Sequence, residues 1–216
     1  MIIDELTIRR AVVLGSALVY WGGVWVQARR IRKSIGRSPN LKPRGLKEQL
    51  LWLGWFLVVT GWIVLPLLAR PDEESAWLRV DLALLARGGL TTGVVVMVAG
   101  YAGTLWCYWA MGDRWRIGID RKQRGGLVTR GPYRGVRHPI YLFQIVMLTA
   151  VVILLPTWLA VTVLALHWVC AVIKALDEEA HLREAYGAVY RDYVAQTGML
   201  LPRLRSRIPT MKNRPD

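Results

Sequence analysis

Cysteine is scarce in this sequence, since only Cys107 and Cys170 occur among its 216 residues. Each lies inside an apolar run, and the two do not form the closely spaced pairs that hold metal ions. Free cysteine behaves as a small hydrophobic residue and is among the most buried residue types. We therefore expect both side chains to be buried by packing, and we predict no metal site.

The sequence also lacks the marks of a soluble nucleotide-binding domain and of a cleaved leader. No predicted strand is followed by the GxGxxG fingerprint of dinucleotide-binding folds. The first apolar run ends in VQARR at residues 26–30, where a signal peptide would carry a small-x-small cleavage site. We interpret this run as the first membrane helix.

Acidic residues are few, with 15 Asp and Glu against 29 Lys and Arg, so the formal charge is +14 in a chain that is 54% hydrophobic. The apolar residues come in uncharged blocks of about 18 to 25 residues, long enough to cross a hydrocarbon core of roughly 30 Å. The 11 tryptophans fit this pattern, because indole rings favour the membrane interface. The composition predicts an all-α polytopic membrane protein.

Five membrane helices are predicted, at about residues 11–28, 50–69, 89–111, 139–155 and 157–176. The last two come from one apolar stretch that is too long for a single span and is interrupted by Pro156, and proline breaks a helix by removing a donor and crowding the preceding turn. We expect these two helices to form a tight hairpin, followed by a cytoplasmic helical segment.

The distribution of lysine and arginine predicts the orientation. The first and third connections and the C-terminal region are rich in these residues, whereas the second connection is mixed and slightly acidic. An N-terminus outside and a C-terminus in the cytoplasm satisfy this distribution, with Arg9 and Arg10 as the exception. We expect an integral protein of a bacterial inner membrane.

The segment GPYRGVRHPIY at residues 131–141, which we call the collar, precedes the fourth predicted span. Pro139 biases His138 toward extended backbone and favours a helix start. His138 then occupies the N-cap, at a helix end that attracts anions. Tyr141 follows about one turn later, and Arg137 adds a fixed charge. Arginine and tyrosine also anchor lipid headgroups, so a binding site and a lipid anchor both stay open.

Three acidic residues, Asp177, Glu178 and Glu179, directly follow the fifth predicted span. This is unusual, because cytoplasmic flanks of membrane helices favour basic residues. Carboxylates close to the collar would neutralise part of its charge and could bind a cation or the hydroxyls of a ribose. A solvated helix start is the alternative interpretation.

These motifs together resemble the isoprenylcysteine carboxyl methyltransferase family, whose core pattern phospholipid N-methyltransferases share. The resemblance rests on RHPIY after LVTRGPYRGV, the proline-broken hairpin, the pair Glu178-Glu179, and EAYGAVYRDYVAQTGMLLPRL, and it covers about residues 118–205. It implies an integral membrane enzyme that transfers a methyl group from S-adenosylmethionine. The cofactor would lie in a cytoplasmic pocket formed by the last two helices and the C-terminal segment.

The resemblance also implies roles for individual residues. Lys174 falls where eukaryotic carboxyl methyltransferases have an arginine implicated in catalysis. Glu178 or Glu179 would deprotonate an amine acceptor, whereas a carboxylate or thiolate acceptor needs no base. The residues expected to contact the cofactor or close its site are Arg137, His138, Tyr141, Glu178, Glu179 and Arg203.

This assignment predicts a division of the chain into two regions. Residues 1–112 would form three membrane helices that admit a lipophilic acceptor, and residues 113–216 would form the catalytic core. A prenylcysteine carboxylate, a phospholipid amine, a small thiol and another lipid all remain open as acceptors. The expected partners are this acceptor and membrane lipids, without nucleic acid. The alternative function is a non-enzymatic membrane protein whose basic loops bind anionic lipid or a protein partner.

Overall fold

The computed structural model describes residues 2–36, 45–112 and 126–203. These residues form six α-helices, namely α1 Ile2–Ile35, α2 Leu46–Leu68, α3 Leu82–Gly88, α4 Leu90–Met111, α5 Pro139–Leu154 and α6 Trp158–Gln196, with a 3-10 turn at Gly131–Arg134. Four of them, α1, α2, α4 and α6, are long and apolar enough to cross a membrane, and α5 is a shorter apolar helix of 16 residues. The predicted all-α polytopic membrane fold is confirmed.

Two helices extend beyond their predicted ends. α1 continues past residue 28 through four basic residues and ends at Ile35, just before Gly36, whose φ of 70° is easily adopted only by glycine. The continuation reflects the good helix propensity of arginine and lysine. The helical segment expected after the fifth span is the second half of α6, which continues to Gln196 and is interrupted at Gly187 by φ 51° and ψ −119°.

The predicted hairpin forms, with α5 and α6 joined at Pro156. Thr157 caps α6 by accepting a hydrogen bond from Ala160 N at 3.1 Å. The loop before α3 covers the turn, because Asp81 N donates to Pro156 O at 3.0 Å and Leu159 N donates to Trp77 O at 3.0 Å. Backbone groups at this end of the hairpin are thus paired within the protein.

Arg9 and Arg10, which do not fit the predicted charge distribution, bind the carbonyl ends of two other helices. Arg9 is 1% exposed; it donates to Ile153 O near the end of α5 at 3.3 Å and pairs with Glu5 at 2.6 Å. Arg10 donates to Pro66 O near the end of α2 at 2.6 Å. The last carbonyls of a helix lack partners within it, and cations favour that end. This explains why two arginines lie at the end of the bundle opposite the collar.

Close contact between α4 and α5 depends on glycine. A Cβ on Gly103 would lie 2.2 Å from the Phe143 ring, and one on Gly100 would lie 3.0 Å from Phe143 O and 3.1 Å from Met147 N. Helices in lipid associate largely by such close packing of small residues. The α4–α5 contact is therefore a main determinant of where α5 begins, and so of where the collar lies.

Gly100→Ala is expected to lower the free energy of unfolding by about 1–3 kcal/mol, because the added methyl group meets backbone atoms that cannot move away individually. The matched control is Gly22→Ala, at an exposed α1 position where a Cβ meets nothing within 4 Å. Thermal unfolding of the purified variants in detergent would measure both effects. Equal unfolding temperatures for the two variants would contradict the proposed role of Gly100.

Candidate active site at the collar

A short segment after α6, residues 197–201, holds the collar in place, and we call it the strap. Arg137 N donates to Gly198 O at 2.8 Å, His138 N donates to Met199 O at 3.0 Å, and Gly198 N donates to Gly135 O at 3.1 Å. Glycine is needed at 198, since a Cβ there would lie 1.7 Å from Leu201 O. The strap therefore fixes the backbone of Arg137 and His138, the first two residues of the RHPIY motif.

Side chains fix the collar from two further directions. Arg130 Nε donates to Ala110 O near the end of α4 at 3.0 Å. Tyr193, in the second half of α6, donates its hydroxyl hydrogen to Tyr133 O at 2.6 Å. Tyr133 is itself buried, against Cys107 and Ala110 of α4. The collar is thus packed between α4 and the far end of α6.

Glu179 forms a buried ionic cluster with the collar. Its side chain is 2% exposed, and its oxygens lie 2.7 Å from Arg137 Nε and 2.8 Å from Arg183 Nη2. Arg137 also donates to the carbonyl of Thr197 in the strap. A buried carboxylate is costly unless it is paired and hydrogen-bonded. Two guanidinium groups meet that requirement, so Glu179 positions Arg137 and has little capacity left for a ligand.

Glu178 has a different environment although it is the adjacent residue. Its side chain is 25% exposed; Oε1 accepts a hydrogen bond from the Tyr141 hydroxyl at 2.9 Å, and Oε2 lies 3.3 Å from His138 Nδ1. A carboxylate has about four lone-pair sites. Glu178 therefore keeps both exposure and accepting capacity.

His138 lies between the two glutamates. Its φ of −123° at the N-cap of α5 is the extended backbone that Pro139 predicts. Burial alone would lower the pKa of His138, but the two glutamates beside it raise that pKa above its ordinary value. Nε2 is buried, has no hydrogen-bond partner in the described part of the chain, and lies 3.6 Å from Glu179 Oε1. The raised pKa favours the protonated form of His138, whose Nε2 faces the Glu179 carboxylate at a distance too long for a hydrogen bond.

The structure brings together five of the predicted site residues, namely Arg137, His138, Tyr141, Glu178 and Glu179. Lys174 is half-buried one turn before Glu178 on α6. Arg203 is exposed and donates to Ala195 O at 2.8 Å. It lines a neighbouring cleft of about 520 Å³ together with Arg134, Tyr193 and Thr197. Arg203 therefore lies beside the cluster and not within it.

Two residues next to the cluster were not singled out from the sequence. Trp55 of α2 stacks on Tyr141 with ring centroids 6.2 Å apart, and it meets the ring of His167 edge-on at 4.8 Å. The sequence could have indicated His167, since it is a lone histidine in an otherwise apolar run. No feature of the neighbouring sequence indicates Trp55, because its ring contacts depend on how α2 packs against α5 and α6.

Both cysteines are buried and free, as expected. Among the described residues, no group of three or more His, Cys, Asp or Glu side chains is placed to hold a metal ion.

Comparison with known proteins gives two findings. A model of the phospholipid methyltransferase family matches residues 89–189, from the start of α4 into the second half of α6. The nickel-cobalt-cadmium resistance protein NccN of Alcaligenes xylosoxydans xylosoxydans is 24% identical over 150 residues, covering 69% of this chain and 63% of that protein. The chain therefore spans less than two thirds of the length of this curated relative.

Gly198→Ala is expected to detach the strap, because the new methyl group cannot coexist with Leu201 O. The amides of Arg137 and His138, which donate to the strap, should then exchange hydrogen faster than in the unmodified protein. Hydrogen exchange measured by mass spectrometry on peptides covering the collar tests this. Gly135→Ala is the control, since a Cβ there has open space. Unchanged exchange in Gly198→Ala would show that the strap does not hold the collar.

Proposed function

We propose that this protein transfers a methyl group from S-adenosylmethionine to a lipophilic acceptor. Residues 89–189 match the phospholipid methyltransferase family, which is part of the isoprenylcysteine carboxyl methyltransferase-like membrane methyltransferases. The resemblance seen in the motifs is confirmed at the level of the family. The observation that carries the proposal is the convergence of His138, Tyr141 and Glu178 near the middle of α6, where its apolar half ends.

The donor set at the collar fits S-adenosylmethionine. The cofactor carries an ammonium group, two ribose hydroxyls and a carboxylate. Glu178 offers a partly exposed carboxylate for the ammonium group or the hydroxyls, and His138 offers a buried nitrogen without a hydrogen-bond partner in the described residues. Glu179 serves a different purpose, because its two guanidinium partners occupy it. We therefore assign cofactor binding to Glu178, His138 and Tyr141, and positioning to Glu179 and Arg137.

The bound cofactor would supply an activated methyl group on a positively charged sulfur. The protein's part is then to hold the acceptor in line with that group and to exclude water, and proximity of this kind is worth up to about 7–11 kcal/mol in favourable cases. The stacked rings of His138 and Tyr141, 5.9 Å apart, form a flat aromatic wall next to Glu178. Lys174 and Glu178 lie one turn apart on α6, so both can act on the same side of this helix.

A lipid anchor alone does not account for this arrangement. Headgroup binding uses exposed arginine, whereas Arg137 is 10% exposed and is bound to a buried carboxylate. Two exposed arginines near the cluster, Arg134 and Arg203, lie on the neighbouring cleft. The buried cluster is better explained as the support of a binding site, which favours the enzymatic proposal over the non-enzymatic alternative.

Glu178→Gln is expected to weaken S-adenosylmethionine binding by about tenfold or more, because a charge-assisted hydrogen bond becomes a neutral one. Glu184→Gln is the matched control, since Glu184 lies on the same helix but outside the cluster. Calorimetric titration of the detergent-solubilised protein measures both affinities. Equal weakening in the two variants would show that the site is misplaced, and the absence of binding to the unmodified protein would refute the proposed cofactor.

We further propose that the collar faces the cytoplasm, where S-adenosylmethionine is available, and that the N-terminus lies outside. A single new cysteine at Gln196 should then be shielded from a membrane-impermeant maleimide in intact cells, whereas one at Ala76 should be labelled. Both positions are exposed, and the two native cysteines are buried, so background labelling should be low. The reverse labelling pattern would invert the proposed topology.

A further inference from the structure

His167 is a polar residue in the part of α6 that lies within the membrane. It is the tenth residue of α6, about 13 Å along the helix and so near mid-depth of a hydrocarbon core of about 30 Å. Its side chain is 2% exposed, and neither ring nitrogen has a hydrogen-bond partner in the described part of the chain. Unpaired polar atoms in an apolar interior cost free energy, so a phenylalanine would be more stable there if packing were the only requirement.

A row of aromatic rings connects His167 to the collar. The His167 ring meets Trp55 at 4.8 Å, Trp55 meets Tyr141 at 6.2 Å, and Tyr141 meets His138 at 5.9 Å. His167 and Glu178 are also 11 residues apart on α6, which is close to three full turns, so they share a face of that helix. The row therefore leads from the candidate cofactor site toward the middle of the membrane.

The approach of α2 to α6 brings Trp55 to this position. A Cβ on Gly54 would lie 2.6 Å from Cys170 Sγ, so glycine allows the two helices to pack closely just before Trp55. Trp55 and Tyr141 are nevertheless only half-buried. A ligand that comes from the bilayer can therefore reach the side of this aromatic row.

We propose that Trp55 and His167 bind the polar head of the methyl acceptor, and that this acceptor is a neutral lipid bearing a hydroxyl, thiol or uncharged amine. The inference rests on the proposed methyltransferase function and specifies its substrate class. A neutral imidazole has one N–H donor and one accepting nitrogen. A hydroxyl, thiol or amine can form a hydrogen bond with one of these nitrogens, whereas an alkyl chain can bond to neither.

The charge of the surroundings excludes charged headgroups from this position. The His167 ring meets the Trp55 ring, and Lys174, the first lysine or arginine of α6, follows two turns later, about 10 Å along the helix axis. A phosphate or carboxylate held at His167 would therefore have no countercharge from α6 in contact with it, and charged groups inside a membrane are costly. His167 therefore selects against phospholipid headgroups and prenylcysteine carboxylates, and it does so where the acceptor enters.

The binding test uses the full-length protein in lipid nanodiscs, with nitrogen-15 label in its 3 histidines. Hexadecanol and hexadecanethiol are the probes with a polar head, and hexadecane is the matched probe without one. The ring-nitrogen signals of His167, assigned with His167→Phe, should shift saturably with hexadecanol or hexadecanethiol. Hexadecane should bind about tenfold more weakly, as expected for one lost hydrogen bond. No shift with any probe, or equal shifts with the alcohol and hexadecane, would overturn the proposal.

The variant His167→Phe separates recognition from structure, with His181→Phe on the same helix as control. We expect His167→Phe to keep or raise the unfolding temperature, since it removes two unpaired polar atoms, and to lose the preference for hexadecanol. A marked fall in unfolding temperature would instead show that the imidazole has a structural role, and the proposal would fail.

Cofactor affinity, measured on the same samples, keeps this inference distinct from the proposed function. His167→Phe should bind S-adenosylmethionine as well as the unmodified protein does, because His167 lies three turns from Glu178. A parallel loss of cofactor binding would contradict a separate acceptor site. If the unmodified protein bound hexadecanol at His167 but never bound S-adenosylmethionine, the proposed methyltransferase function would fail while the lipid site remained.

Discussion

The buried carboxylate of Glu179 is the constraint on which the rest of the site depends. Its guanidinium partners come from two parts of the chain, Arg137 from the collar and Arg183 from the same helix. Because removing one partner of such a pair leaves a buried charge without compensation, Arg137 cannot move independently of α6. The same arginine also holds the strap through the carbonyl of Thr197. One ionic cluster thereby fixes three separate chain segments relative to each other.

The two ends of the helical bundle solve a common problem in different ways. Backbone groups at a helix end need partners, and a membrane supplies none. At the end away from the collar, Arg9 and Arg10 donate to the last carbonyls of α5 and α2. At the collar end, the strap pairs with backbone amides through hydrogen bonds like those of a sheet. The arginine side chains pair the backbone at the first end, whereas at the collar end the backbone of the strap does so and the Glu178 and His138 side chains remain for a ligand.

The sequence predicted the fold class, the hairpin and most of the candidate cluster, for identifiable physical reasons. The membrane helices follow from long uncharged runs and the hairpin follows from Pro156, and both are local features of the sequence. The cluster follows from motifs that resemble a known family. The contacts of Trp55 and His167 could not be predicted in this way, because they depend on how closely α2 and α6 approach. The different roles of Glu178 and Glu179 could not be predicted either, because two adjacent glutamates are distinguished only by their partners in the folded protein.

The continuity of α6 constrains the number of residues between His167 and Glu178. The helix runs without interruption from its start at Trp158 to the break at Gly187. One residue inserted between His167 and Glu178 would rotate everything beyond it by about 100° and advance it by about 1.5 Å. The carboxylates would then turn away from His138 while the apolar part of the helix stayed in place. We therefore expect that this stretch does not tolerate insertions or deletions.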